Sequence, residues 1–287
     1  MLINTVEAAV VQCPNVKVLR VVQCPRLIVR NCPQLKTVLA QGALLEFIEV
    51  SDCPALETLN VSNNYLSELR VPSGLRYLNC SINLLEELDA RDCPVVVAHT
   101  NALERLVLRA NRMQLLNVRY NNLEWFEFGG QIDHLDVRSN HLNRFAIGGA
   151  RSCKLAHNPL GKLGAIPGIV RLDIACTNLE RVAIASHTLE KLVVDGSRRL
   201  ALHAPRLQKL HTSSLVELLV LNACNPSKVS GNYLTVLSPR PLNAYCYNQV
   251  LWAQVRALVL MYEFLGESSR QWMSEGLQKL LWPIGQR

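Results

Sequence analysis

The stretch Leu56–Leu66 reads L-E-T-L-N-V-S-N-N-Y-L, and its spacing decides the fold. It fits L-x-x-L-x-L-x-x-N-x-L at every specified position, with Val61 in the third apolar slot. The pattern returns at Leu75–Leu85 (L-R-Y-L-N-C-S-I-N-L-L), Leu103–Met113, Met113–Leu123 and Ile132–Leu142. One match carries little weight. Five in one chain mean a stack of like units, each contributing a strand to the next.

The period is nested. Further starts fall at Leu66 (L-S-E-L-R-V-P-S-G) and Leu85 (L-E-E-L-D-A-R-D-C), so each step is about ten residues and two steps make a coil of about nineteen. The Asn slot tells the two half-coils apart. One series holds Asn64, Asn83, Asn101, Asn121, Asn140 and Asn158, then Thr177, Ser197 and Ser214. The other holds Gly74, Cys93, Asn111, Gln131, Ala150, Gly168 and His187. Only the first is an asparagine ladder. A coil that turns sharply after its strand leaves backbone N–H and C=O groups unpaired inside the stack, and a buried Asn offers two donors and an acceptor to satisfy them.

The first ~55 residues follow the pattern less closely, with C-P replacing N-x at the turns: Cys24, Cys32, Cys53 and Cys93 take the Asn slot, and each precedes Pro. Proline fixes φ and needs no N–H partner there. No polar capping helix precedes the array. Met1–Val11 as an abbreviated cap, a longer parent chain or a covering partner would each protect the first coil. Repeats fade after Cys224. Residues 225–243, with three Pro, read as a linker or loop. Two helices are expected beyond it: Tyr245–Leu265, apolar at 251, 255, 258, 259 and 262, and a second whose face is Trp272, Met273, Leu277, Leu280 and Leu281. The expected organisation is therefore a solenoid over 1–224, a linker over 225–243 and a helical cap or docking segment over 244–287.

The net charge of +7 is uneven: residues 1–100 net −2, residues 101–215 net +7 and residues 216–287 net +2. A basic second half suggests an acidic partner. Of the ten cysteines, Cys24, Cys32, Cys53 and Cys93 take the Asn slot and Cys80 an inward apolar slot, which argues against a disulfide framework, and the thiols read as reduced in a reducing, cytoplasmic compartment. Met1–Val10 lacks the basic and apolar regions of a secretory signal. Val250–Leu265 contains Gln254, Arg256 and Glu263 and is too short and too charged to span a bilayer. No phosphate-binding glycine loop, H-E-x-x-H, G-x-S-x-G or C-x-x-C occurs, and the seven His lack ligand spacing. The expectation is a non-enzymatic protein with neither cofactor nor metal.

Over about residues 5–224 the chain resembles the leucine-rich-repeat superfamily, most closely at Leu56–Asn64, Leu75–Asn83, Leu103–Asn111, Met113–Asn121 and Ile132–Asn140. The nested decads look like the short subclass of bacterial and protozoan proteins, and like bacterial effectors, whose L-P-x-L-P half is missing here. The resemblance implies an α/β solenoid of about eleven coils that binds proteins on its strand face. On such strands, residues flanking the inward pair point out. The candidate contacts are Arg119, His134, Arg138, Lys154, Arg171, Lys191, Lys209 and His211, with Arg119, Arg138 and Arg171 as anchors for an acidic protein patch. Nucleic acid is the weaker partner, because residues 150–215 contain no Phe, Tyr or Trp for base stacking. A subunit of a large assembly, one containing RNA included, or the repeat part of a larger enzyme or effector is the alternative.

Overall fold

The computed structural model describes residues 1–222 and 228–237. The expected helical cap over 244–287 lies outside the described residues. What is described is a parallel β-solenoid, divided into a unit over Met1–Leu179 and a unit beginning at Glu180.

The first unit stacks one strand per coil in strict parallel register. Leu59 pairs with Leu78, Leu78 with Val96, Leu116 with both Val96 and Leu135, Leu135 with Cys153 and Cys153 with Leu172. These partners lie 18–20 residues apart in sequence, the length of one coil. All seven side chains are buried. Two residues on, Val61, Cys80, Ala98, Val118, Val137, Leu155 and Ile174 form a second buried column. The strand period of two puts both columns inside, and the apolar template follows from that.

The other half-coils are strands too. Ala9–Val11, Arg26–Arg30 and Phe47–Ser51 form one short sheet, and Glu87–Arg91 pairs with Arg105–Leu108 in another. Trp125–Asp136 and Arg144–Lys154 run as long strands from this second face into the ladder face, with a register shift between Phe128 and Gln131. Glycine is needed at that corner: a Cβ on Gly130 would collide with the Asn111 carbonyl, and one on Gly148 with the Gly129 carbonyl. Ser67–Gly74 and Gly161–Gly168 carry no strand. No helix occurs among the described residues, so the expected α/β character is not seen there. Half-coils of about ten residues with alternating faces, as in Arg144–Ile147 (R-F-A-I), leave no length for a helical return.

In the second unit, Lys191–Val194 pairs with the start of Lys209–Asn222, and Arg181–Ala185 pairs with Arg199–His203. Lys228–Leu237, inside the stretch read as a linker, is a strand parallel to Lys209–Asn222. Its alternating V-S-G-N-Y-L-T-V-L has strand character that the surrounding prolines outweighed in the sequence reading.

The ladder asparagines hold each turn to its neighbour. Asn121 Oδ1 accepts from the N–H of Leu103, and its Nδ2 donates to the carbonyls of Ala98 and Val118 at 3.0 and 2.9 Å. Asn64, Asn83, Asn101, Asn140 and Asn158 repeat this arrangement with their own coils. Thr177 keeps one of these bonds, from Oγ1 to the Ile174 carbonyl. The residue before each rung is left-handed: φ is 57° at Asn63, 56° at Ile82, 58° at Thr100, 56° at Tyr120, 54° at Ser139 and 58° at His157. That conformation aims its N–H at the following coil, as from Ile82 to the His99 carbonyl at 2.9 Å.

The C-P turns substitute sulfur for amide. Cys32 Sγ donates to the Arg30 carbonyl at 3.3 Å and Cys53 Sγ to that of Ser51 at 3.2 Å. The eight described cysteines are free. Burial pushes the Cys80 thiol up to about 12 and raises that of Cys153 as well.

Two stability predictions follow from the turns. Asn121→Ala strands buried backbone groups and should lower unfolding stability by about 1–3 kcal/mol. Asn111→Ala, at an exposed site in the other series, should stay within about 0.5 kcal/mol. Equal shifts of the two urea midpoints would contradict the ladder's role. Ile82 is β-branched, left-handed and 44% exposed. Ile82→Asn, which copies Asn63 in the neighbouring coil, should raise stability by about 0.5–1 kcal/mol, since Asn tolerates that conformation. A lowered melting temperature would show that the Ile82 side chain contributes more than its backbone strain costs.

Candidate protein-binding face

Outward positions of the ladder sheet line up across coils. In the first unit Leu115, His134, Ser152 and Arg171 stand in register, and beside them Asn117, Asp136, Lys154 and Asp173. Arg119 and Arg138 occupy equivalent turn positions two residues after Asn117 and Asp136. In the second unit Lys191 pairs with Lys209 and Val193 with His211. Of the eight candidates, then, Arg119, His134, Arg138, Lys154 and Arg171 lie in one unit, and Lys191, Lys209 and His211 in the other.

The second outward column is structural as well as chemical. Asn60 Oδ1 accepts from the N–H and hydroxyl of Ser62, and Asn79 Oδ1 does the same for Ser81. Asn117, Asp136 and Asp173 accept from the N–H two residues on, at 3.4, 3.3 and 3.2 Å. These Asx turns help bend the chain after each strand. Sequence reasoning placed Asn117, Asp136, Lys154 and Asp173 on the outward face but passed over the turn-forming role of this column, although N-x-S at Asn60 and Asn79, N-x-R at Asn117 and D-x-R at Asp136 carry its signal.

The arginines differ in their freedom. Asp136, nearly buried, grips Arg138 on both carboxylate oxygens: Oδ1 accepts from Nε at 2.9 Å and Oδ2 from a terminal nitrogen at 2.7 Å. That hydrogen bond raises the Arg138 pKa above its usual value. Lys154 Nζ lies 3.8 Å from the same carboxylate. Arg138 is therefore largely neutralised within its own coil. Arg119 has no carboxylate within ion-pair reach among the described residues. Its guanidinium lies 5.6 Å from the Tyr120 ring centroid, and its Nε is buried without a hydrogen-bond partner. Burial, and then the Arg119 charge, lower the pKa of nearby His99. Arg171 and His134 are exposed, and neither forms an ion pair among the described residues. In the second unit His211 Nδ1 lies 2.7 Å from Ser230 Oγ, and Lys191 and Lys209 are exposed neighbours of like charge.

An exposed apolar corner flanks the ladder in the early coils, made by Leu44, Tyr65, Ile82 and Leu84, with Tyr120 further on. Among the described residues, no group of three or more His, Cys, Asp or Glu is placed to hold a metal ion, and no helix is long and apolar enough to cross a membrane. No known protein family, curated protein or solved structure matches the chain.

Proposed function

We propose that this chain is a non-enzymatic recognition scaffold of the leucine-rich-repeat type, working in a reducing compartment and binding a protein with an acidic patch on the ladder face. The observation that carries this reading is the pairing pattern of that face in the first unit. Asp136 is absorbed by Arg138 and by a backbone N–H, and Asp173 by the Ala175 N–H, while Arg119 and Arg171 present cations without carboxylate partners. The acidic residues that interrupt the field in sequence are thus partly spent on local structure. The Asn ladder supports the repeat kinship, and the free thiols support the compartment.

Arg119 and Arg171 are the anchors on this reading. Arginine suits the role because its planar fork pairs with carboxylate on two bonds. Partner protein would be captured from the native source, and its affinity measured against charge-reversal variants. Arg119→Glu and Arg171→Glu should each weaken binding at least tenfold. Arg138→Glu should unfold or destabilise the coil more than it affects binding, because it sets two carboxylates side by side. Unchanged affinity in both anchor variants, with melting intact, would remove the ladder face as the site.

A further inference from the structure

The second face of the first unit is broken between Phe47–Ser51 and Glu87–Arg91. The half-coil between them, L-S-E-L-R-V-P-S-G from Leu66 to Gly74, carries no strand. Pro72 has no N–H to give a sheet, and Gly74 turns at φ 84°. A trough of about 990 Å³ opens at this break, within the size range of small-ligand sites. Prolines of successive turns line it, Pro14, Pro33, Pro54 and Pro72, together with Arg70 and Arg91 and one carboxylate, Asp52.

The two arginines depart from the habit of this face. Arg30 pairs with Glu49, Arg105 with Glu87 and Arg109 with Asp89, at 2.8 to 3.8 Å, each across one coil. Neither the Arg70 nor the Arg91 guanidinium has a carboxylate within 4.0 Å among the described residues, although the Arg91 backbone N–H donates to Asp89 Oδ1 at 3.0 Å. Arg91 donates Nε to the Val71 carbonyl at 3.0 Å. That bond fixes the guanidinium against the strandless half-coil, and its terminal nitrogens make no hydrogen bond among the described residues. A pre-oriented guanidinium and a second one nearby, bordering a proline-lined hollow, form a built receptor for a planar or tetrahedral oxyanion.

We propose that this trough binds a small organic oxyanion, a carboxylate or phosphate monoester carried on an apolar body. Arg91 and Arg70 clamp the anionic group, and the proline rings cover the body. Asp52 disfavours a further anionic group elsewhere on the ligand, so a ligand with one anionic end is preferred over a polyanion. The site lies on the second face and does not depend on the ladder face binding a protein.

The test is calorimetric titration of the whole chain with phenyl phosphate, benzoate, inorganic phosphate and polyglutamate. Phenyl phosphate or benzoate should bind saturably, and whichever is tighter names the oxyanion. Inorganic phosphate and polyglutamate should bind at least tenfold more weakly. Arg70→Glu reverses one clamp, and Ser73→Trp fills the trough from an exposed rim position; each should weaken binding at least tenfold. Arg171→Glu, on the ladder face, should leave it unchanged, which separates this site from the partner surface. Absence of saturable binding overturns the proposal. So does affinity that survives both trough variants, or inorganic phosphate binding as tightly as phenyl phosphate.

Discussion

The fold depends on a buried amide. A coil of about nineteen residues must reverse direction after each strand, and the reversal turns polar backbone into the stack, where water cannot reach it. Each ladder Asn answers with one acceptor and two donors, joining its own turn to the previous coil, as Asn121 joins Val118 to Ala98 and Leu103. The left-handed residue just before it completes the turn by bonding to the next coil. Strain at that residue is small beside the cost of several unpaired buried groups, and so Ile82, Thr100 and Tyr120 are held there although only Asn and Gly adopt the conformation readily.

Where the ladder residue is not Asn, the substitutes show which part of the job is indispensable. Thr177 retains only the bond to its own turn, to the Ile174 carbonyl. Cys24 donates its thiol to the Arg26 carbonyl at 3.2 Å. A weak S–H donor is enough where a following proline, Pro25 here, has already removed one N–H from the account. The C-P pair is thus one device rather than two accidents of composition, with the thiol caring for the carbonyl and the proline deleting the donor.

The sequence template made the inward columns legible, because Leu59, Leu78 and Leu116 obey a strict period that only a buried strand requires. The Asn series was legible for the same reason. What the other half-coil becomes was not: its slot series of Gly74, Cys93, Asn111, Gln131 and Ala150 shares no side chain that would announce its structure, and E-L-D-A-R and R-F-A-I form strands. At the candidate face, residue positions were readable from alternation, whereas their pairing was not. Asp136 and Arg138 share a face at i and i+2, and only the Asx turn at Asp136 brings the carboxylate round to grip the guanidinium. The trough was illegible because it arises from a missing strand, and a proline at position 72 does not say what the neighbouring coils do.

Charge is used differently on the two faces of the first unit. On the second face, arginine and carboxylate alternate from coil to coil, and these exposed pairs reinforce register, since a slip by one residue would set Arg109 away from Asp89. Exposed pairs of this kind add little stability. Their value is in specifying alignment where no asparagine ladder exists. The ladder face needs no such help, because its asparagines already fix the register from inside. Outward residues that take no part in the Asx turns are therefore released from holding register, and cations without carboxylate partners, such as Arg119 and Arg171, can persist there without weakening the stack. The proposed recognition falls on the face whose geometry is secured by buried groups, because positions such as Arg119 and Arg171 can change there without cost to the turns.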